Sequence, residues 1–330
     1  MRTTIWSFFL MLALLVTPPA ADAEAPARVP TVGVLSAGPA GGALAMPGRE
    51  AFERGLAELG WVPGRNIRVE YRYAEGKRER LEALARDLVL LGVDVIVARA
   101  TGTIQAAKQA TATIPIVMSA AGFDPIQLGL VASLARPGGN VTGLTLLNQD
   151  LQVKHLELLK EAVPRLSRVA VLGNAAAPQL AAWRDLEAAA QAWGIVLHHV
   201  EVRGPDDLDR AFADIVGVRA GGLIVRADPF VLEANDKRVI ALALRHRLPA
   251  VYWLRTYSQA GGLMSYGADL FDIHRRSAFY VDRILRGARP ADLPVEEPTK
   301  FSLVVNLKAA RALGLSIPAS VLARANEILQ

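Results

Sequence analysis

Short apolar runs separated by longer amphipathic stretches recur from residue 31 almost to the end of the chain, and this alternation is the tightest constraint on its fold. The runs are 31–36 (TVGVLS), 67–73 (IRVEYRY), 93–98 (VDVIVA), 116–119 (IVMS), 169–172 (VAVL), 196–202, 222–225 (GLIV), 250–253 (AVYW), 263–265 and 303–305. Several are unbroken Val/Ile/Leu sequences without polar alternation, which suits parallel strands covered on both faces. Between them lie helical patterns. Leu81, Leu84, Leu88 and Leu91 repeat at three- and four-residue steps, with Arg78, Glu79, Glu82 and Arg86 on other faces. Segments 150–163, 178–193, 231–245 and 269–286 read the same way. Strand–helix alternation of this kind predicts parallel sheets in an α/β protein.

The alternation restarts at Val169 after the turn-forming run Arg136-Pro137-Gly138-Gly139-Asn140, so two lobes fit better than one large sheet. Each lobe is expected to be a parallel-sheet αβα sandwich, with three chain crossovers between them. The breaks that suggest those crossovers are 142–150, Ala260-Gly261-Gly262, and 287–298, the last holding three prolines and so unable to form a long helix. The division expected from these breaks is a first lobe of 29–146 with 262–290 and a second of 147–261 with 291–330.

The first 23 residues stand apart. Arg2 is followed by an apolar run at 5–16, then Pro18, Pro19 and an Ala21-Asp22-Ala23 sequence. A basic start, a short apolar middle and a small-residue end predict a secretory signal peptide cleaved near Ala23. The alternative is a retained anchor, but a bilayer needs about 20 apolar residues and the prolines close this run early. The chain has no cysteine, which removes disulfides, thiolate nucleophiles, Cys-ligated zinc and a lipid-modified cysteine. A periplasmic location without a lipid anchor is therefore expected. The formal net charge of +5 is spread over dispersed lysines and arginines among acids, so no nucleic-acid face is expected.

In parallel sheets, ligands sit beyond the carboxyl ends of strands, where helix N-termini offer free N–H groups. The residues that follow the predicted strands are Ser36; Thr101, Gly102 and Thr103 after Arg99; Ser119, Phe123 and Asp124; Asn174; and Arg226 and Asp228. Tyr252 and Tyr266 lie near other strand ends, as does Phe230. These types suit the grip of a small polar ligand, although Ser36, Thr101 and Asp124 also have the chemistry of simple helix caps. On this reading the 101–103 helix start takes an anionic group, and Asp124 or Asp228 a cationic one.

The sequence carries no catalytic or cofactor signature. There is no G-x-S-x-G, no phosphate-binding G-x-x-x-x-G-K-[ST] and no G-x-G-x-x-G, so neither an enzyme nor a cofactor is expected. Gly138–Gly143 is glycine-rich but reads as a turn. His198 and His199 are adjacent and would point to opposite faces of a strand, which argues against a shared metal. His155 and His274 fall in helical patterns as surface or packing residues, and Asp206, Asp207 and Asp209 read as a helix start.

An ordered series of segments carries a resemblance. It includes 51–60 (AFERGLAELG), 64–67 (GRNI), 93–97 (VDVIV), 129–140 (GLVASLARPGGN), 260–267 (AGGLMSYG), 280–287 (YVDRILRG), 293–301 (LPVEEPTKF) and 312–315 (ALGL). With these the chain resembles the substrate-binding proteins of ABC transporters of the tryptophan/tyrosine type, over almost the whole length after residue 28. The resemblance implies a type I periplasmic-binding-protein fold, a small-molecule ligand such as an amino acid or aromatic acid, an ABC permease as partner and a monomeric state. A ligand-sensing module that presents its closed form to a membrane receptor would use the same fold. One departure is visible. The family pattern Gly-Asp-Pro-Val is here Gly122-Phe123-Asp124-Pro125-Ile126, with a bulky Phe123 inserted beside Asp124 where specificity would change.

Overall fold

The computed structural model describes residues 28–330, apart from 43–44, 123, 147–150, 177–181 and 229. The predicted signal peptide and Phe123 thus lie outside the described residues. Twelve strands are present among those described: β1 (Thr31–Ser36), β2 (Arg68–Tyr73), β3 (Val95–Arg99), β4 (Ile116–Ala121), β5 (Val141–Thr145), β6 (Arg168–Asn174), β7 (Val196–Val202), β8 (Gly222–Val225), β9 (Ala250–Tyr252), β10 (Met264–Ala268), β11 (Phe301–Asn306) and β12 (Glu327–Leu329). The helices are α1 (Ala45–Glu58), α2 (Leu81–Leu90), α3 (Thr101–Ala110), α4 (Leu151–Ala162), α5 (Ala182–Ala192), α6 (Leu208–Gly217), α7 (Asp236–Arg245), α8 (Arg255–Gln259), α9 (Leu270–Leu285), α10 (Leu307–Ala312) and α11 (Ala319–Leu322).

They form two sheets, as the alternation predicts. The first has the order β2-β1-β3-β4-β5 and the second β12-β11-β10-β9-β8-β6-β7. Every pairing is parallel except β10 with β11. The inner strands are buried on both faces, β3 at all five positions and β8 at all four, which is why their sequences lack polar alternation. Helix α2 buries Leu81, Ala85 and Leu88 and leaves its acidic and basic residues outside.

Helix α1 is packed unusually closely. It buries Gly48, Ala51, Phe52, Gly55 and Leu56 against the first lobe and α9. A Cβ on Gly55 would collide with the Arg275 carbonyl of α9, so only glycine permits that approach. Asp269 starts α9 by accepting from the Phe271 and Asp272 N–H groups, an N-cap of the usual kind.

Two expectations need correction. The glycines at 260–262 do not mark a change of sheet, because β9 and β10 on either side of them are paired neighbours in the second sheet. Gly261, at φ 113, makes a turn within that lobe. The chain instead leaves the second sheet at 268–270, where α9 returns to pack on α1 and β4. The residues 142–145 are not a linker but most of β5. There Gly143, at φ 121, passes so close to Met118 that a Cβ would strike its backbone.

Candidate functional site

The carboxyl ends of the strands in the two sheets face each other, and one segment of the second lobe reaches across. This is 230–235, between β8 and α7. The Phe230 ring lies under the Arg78 guanidinium at 4.4 Å and against Gly102, whose Cβ would sit 3.2 Å from the ring. Its carbonyl is 3.2 Å from where a Cβ on Gly76 would be, and Glu233 approaches Gly38. Three loops of the first lobe therefore touch one segment of the second.

The predicted site residues separate into two groups. Some build the loops. Thr101 accepts the Gly122 N–H at 3.0 Å, and Thr103, fully buried, donates to the Ala100 carbonyl at 2.7 Å. Asp124 accepts the Ile126 N–H at 2.8 Å and so caps its own turn. Asp228 accepts from the Val231 and Leu232 N–H groups and from the Asn174 side chain, while Asn174 accepts the Ala176 N–H. Asp124 and Asp228, expected to meet a cationic group of the ligand, thus already accept backbone N–H groups of their own loops. Of the two predicted tyrosines, Tyr252 belongs to the core and Tyr266 packs part-buried against it. Tyr252 is buried and stacks on Tyr257 at 4.8 Å, and Tyr266 stacks on Phe301 at 6.1 Å.

The other predicted residues stand at or near strand ends. Ser36 ends β1 in register with Tyr73 and Arg99, and Gly102 supports Phe230. Arg226, half-buried, lays its side chain over Gly173 of β6, and burial lowers its pKa. Ser119 lies within β4, fully buried beside α9, its hydroxyl 2.7 Å from His274 Nδ1 and 2.9 Å from the Ser277 hydroxyl. Burial, and then the Arg99 charge, hold His274 far below its ordinary pKa, so it is neutral.

Sequence reasoning missed the two most telling residues, Arg99 and Glu233. Arg99 ends β3 and is only 8% exposed, yet its Nη2 has no hydrogen-bond partner. A Cβ on Gly48 would collide with that nitrogen, so the first turn of α1 is kept bare for the guanidinium. Glu233 is part-buried, and its carboxyl approaches Gly38 of the first lobe. Burial foremost, then the nearby Asp228, push its pKa up to about 8, with Arg99 pulling against them. The one available signal was a charge closing an otherwise apolar strand, VIVAR.

Further aromatic residues lie near the strand ends. Tyr71 and Tyr73 stack on β2 at 6.1 Å, with the Tyr71 hydroxyl 3.1 Å from Glu53 of α1. Tyr257 is fully buried with an unpartnered hydroxyl that feels the charge of Glu233. A depression of about 450 Å³ lined by Arg168, Val196 and His198 opens at the amino ends of β6 and β7, away from this cleft. Among the described residues no group of His, Asp and Glu could hold a metal ion, and no helix is long and apolar enough to cross a membrane.

Comparison with known proteins agrees with this geometry. A conserved domain protein from Vibrio cholerae is similar over 91% of this chain and all of its own, at 30% identity and a TM-score of 0.83. A Streptococcus pneumoniae ABC domain, solved with L-Trp, is similar over 91% of this chain and 99% of its own, at 25% identity and a TM-score of 0.82. A tyrosine-binding protein from Clostridioides difficile is 26% identical over 275 residues, covering 81% of this chain and 76% of the relative. Residues 44–329 match the family described as ABC transporter substrate binding protein. The chain is a two-lobed α/β protein of the type I periplasmic-binding-protein fold, and it belongs to the family of ABC transporter substrate-binding proteins.

Proposed function

We propose that this protein, exported through its N-terminal segment to the periplasm, captures an amino-acid-like or aromatic-acid-like ligand between its lobes. It then presents the closed form, as a monomer, to the permease of an ABC importer. The observation that carries this reading is the reach of 230–235 across the strand ends of the first lobe, with Phe230 seated at Gly102. A ligand held between the same surfaces touches both lobes, and so binds the closed state better than the open one. The aromatic residues Tyr71, Tyr73 and Phe230 beside few unpaired charges favour a compact ligand with an apolar part, in line with the tyrosine and L-Trp of the relatives. The lobes would be 28–146 with 270–296, and 151–268 with 301–330. Their hinge would include the crossings at 268–270 and 297–300, where loop dihedrals can absorb the change.

Native mass spectrometry of the protein purified from its own host tests the proposal. A retained amino acid or aromatic acid is the expected result. Retention of a sugar, together with thermal stabilisation by sugars and by no amino acid, would refute it.

A further inference from the structure

Arg99 is the feature of this molecule hardest to explain as architecture. A buried cation without hydrogen bonds is strongly unfavourable, and a guanidinium cannot relieve the cost by losing its proton near neutral pH. The described residues offer it no ion pair. Around it lie Gly48 of α1, the neutral His274 of α9, and Tyr71 and Tyr73 of β2. The first turn of α1 adds no acidic side chain, so the positive end of that helix is also left uncompensated. No carboxylate among the described residues reaches Arg99 within hydrogen-bond or ion-pair distance.

Glu233 is its counterpart on the other lobe. Its carboxyl has no hydrogen bond or ion pair among the described residues, while its neighbour Asp228 is fully occupied by backbone N–H groups and Asn174. Arg99 and Glu233 feel each other's charge but stand too far apart for a direct ion pair. One basic and one acidic side chain, one from each lobe and both unpartnered, thus stand near the same strand end: Arg99 in register with Ser36, and Glu233 approaching Gly38 two residues further on.

We propose that Arg99 and Glu233 form a charge clamp for a zwitterion, Arg99 taking the ligand's carboxylate and Glu233 its ammonium group. The inference rests on the ligand being bound between the lobes, and it replaces the 101–103 helix start as the anion site. It also ranks ligands. Glu233 can stay protonated when no ammonium group is present, whereas Arg99 stays charged whatever binds. A deaminated acid should therefore lose less affinity than a decarboxylated amine.

The test begins with a thermal-shift screen of the full chain against the twenty amino acids. Each binder is then compared with its decarboxylated amine and its deaminated acid by titration calorimetry, in wild type, Arg99→Met and Glu233→Gln. The expected order is zwitterion, then acid, then amine. Loss of one partner of a buried charged pair should weaken binding about 30-fold or more in each variant. Arg99→Met without ligand should melt at or above the wild-type temperature, since an unpaired buried charge has been removed. Wild type should release a proton on binding at pH 7, seen as a dependence of the heat on buffer, and Glu233→Gln should not. If amino acids bind Arg99→Met as tightly as wild type, or if that variant melts well below it, the clamp is wrong while the binding function stands. If none of the twenty stabilises the wild type, the zwitterion clamp falls; the proposed function falls with it only if aromatic acids fail to stabilise the wild type as well.

Discussion

Replacing Phe230 by alanine should weaken ligand binding by opening the lobes. Phe230 leaves the second lobe to pack on Gly102 and under Arg78, and it joins the apolar clusters of both lobes. A fully buried Phe→Ala change costs about 3–5 kcal/mol. The ring here is part-exposed, so about half of that, roughly 2 kcal/mol, is reasonable. The lost cation–π contact with Arg78 adds about 0.5–1 kcal/mol. Nearly all of this belongs to the closed state, because in an open molecule the ring no longer meets Gly102 or Arg78. If the empty protein is mostly open, the whole difference falls on the apparent affinity, which drops by the population of the competent state. At 1.4 kcal/mol per tenfold change, roughly 2.5 kcal/mol corresponds to a dissociation constant about 60 times larger. Titration calorimetry on wild type and Phe230→Ala measures it. Small-angle scattering should show that saturating ligand contracts the wild type and that the variant needs more ligand for the same contraction. Unchanged affinity together with an unchanged scattering transition would refute the reasoning, since Phe230 would then be surface decoration.

The remaining predictions concern protons and strain. Glu233 is raised from an ordinary value near 4.5 to about 8, so the empty native state holds more protons than the unfolded chain between those limits. Stability should therefore fall as pH rises from about 4.5 to about 8, a slope in melting temperature that Glu233→Gln flattens. His155 donates from Nε2 to the Tyr266 carbonyl and has no acceptor at Nδ1, and burial lowers its pKa from 6.5 to about 4. It should cost stability as pH falls from 6.5 towards 4, and NMR titration should find the ring still neutral at pH 5.5; a midpoint near 6.5 would contradict its burial. Ala100 lies at φ 86 and ψ 154, backbone space open mainly to glycine. Ala100→Gly should therefore raise the melting temperature by about 2–4 °C for each kcal/mol of strain relieved; a lower value would mean that the site is not strained.

The sheets were legible because buried parallel strands must be apolar on both faces, and a sequence displays that directly. Two strands escaped. β5 reads V-T-G-L-T after a glycine-rich turn, and its Gly143 is present because Met118 passes too close for a side chain, which is a fact about a neighbour 25 positions away. β12 is three residues on a sheet edge, too short to show a period. The crossover into α9 escaped for a related reason. It carries no glycine or proline, only Asp269, which reads correctly as a helix cap and says nothing of which sheet comes next. Glycine and proline mark turns, whereas sheet membership is decided by distant pairing. The candidate site was half legible: reading past the strand ends reached Gly102 and Phe230, which meet across the lobes. Arg99 and Glu233 stayed hidden because their distinguishing property is a missing partner, and only three dimensions show that.

That property also explains how the cleft could signal. Its polar groups divide by whether the chain satisfies them. Asp124, Asn174 and Asp228 bind backbone N–H groups and would do so whether the lobes are open or closed. Arg99 and Glu233 have no such partners, and closure without ligand takes both further from water. The Phe230 clasp favours closure by roughly 2–3 kcal/mol. Burying two unpaired charges opposes it by an effective penalty of several kcal/mol for each ion, lessened where Glu233 takes up a proton. The empty protein should therefore rest open, with closure a minor state, and the clasp alone is too weak to reverse this. A zwitterion removes both penalties in one step, whereas a ligand carrying one charge removes only one. Closure then depends on the chemistry of the occupant and not merely on its presence. A transporter that responds to the closed form would read the identity of the ligand through the shape of its carrier.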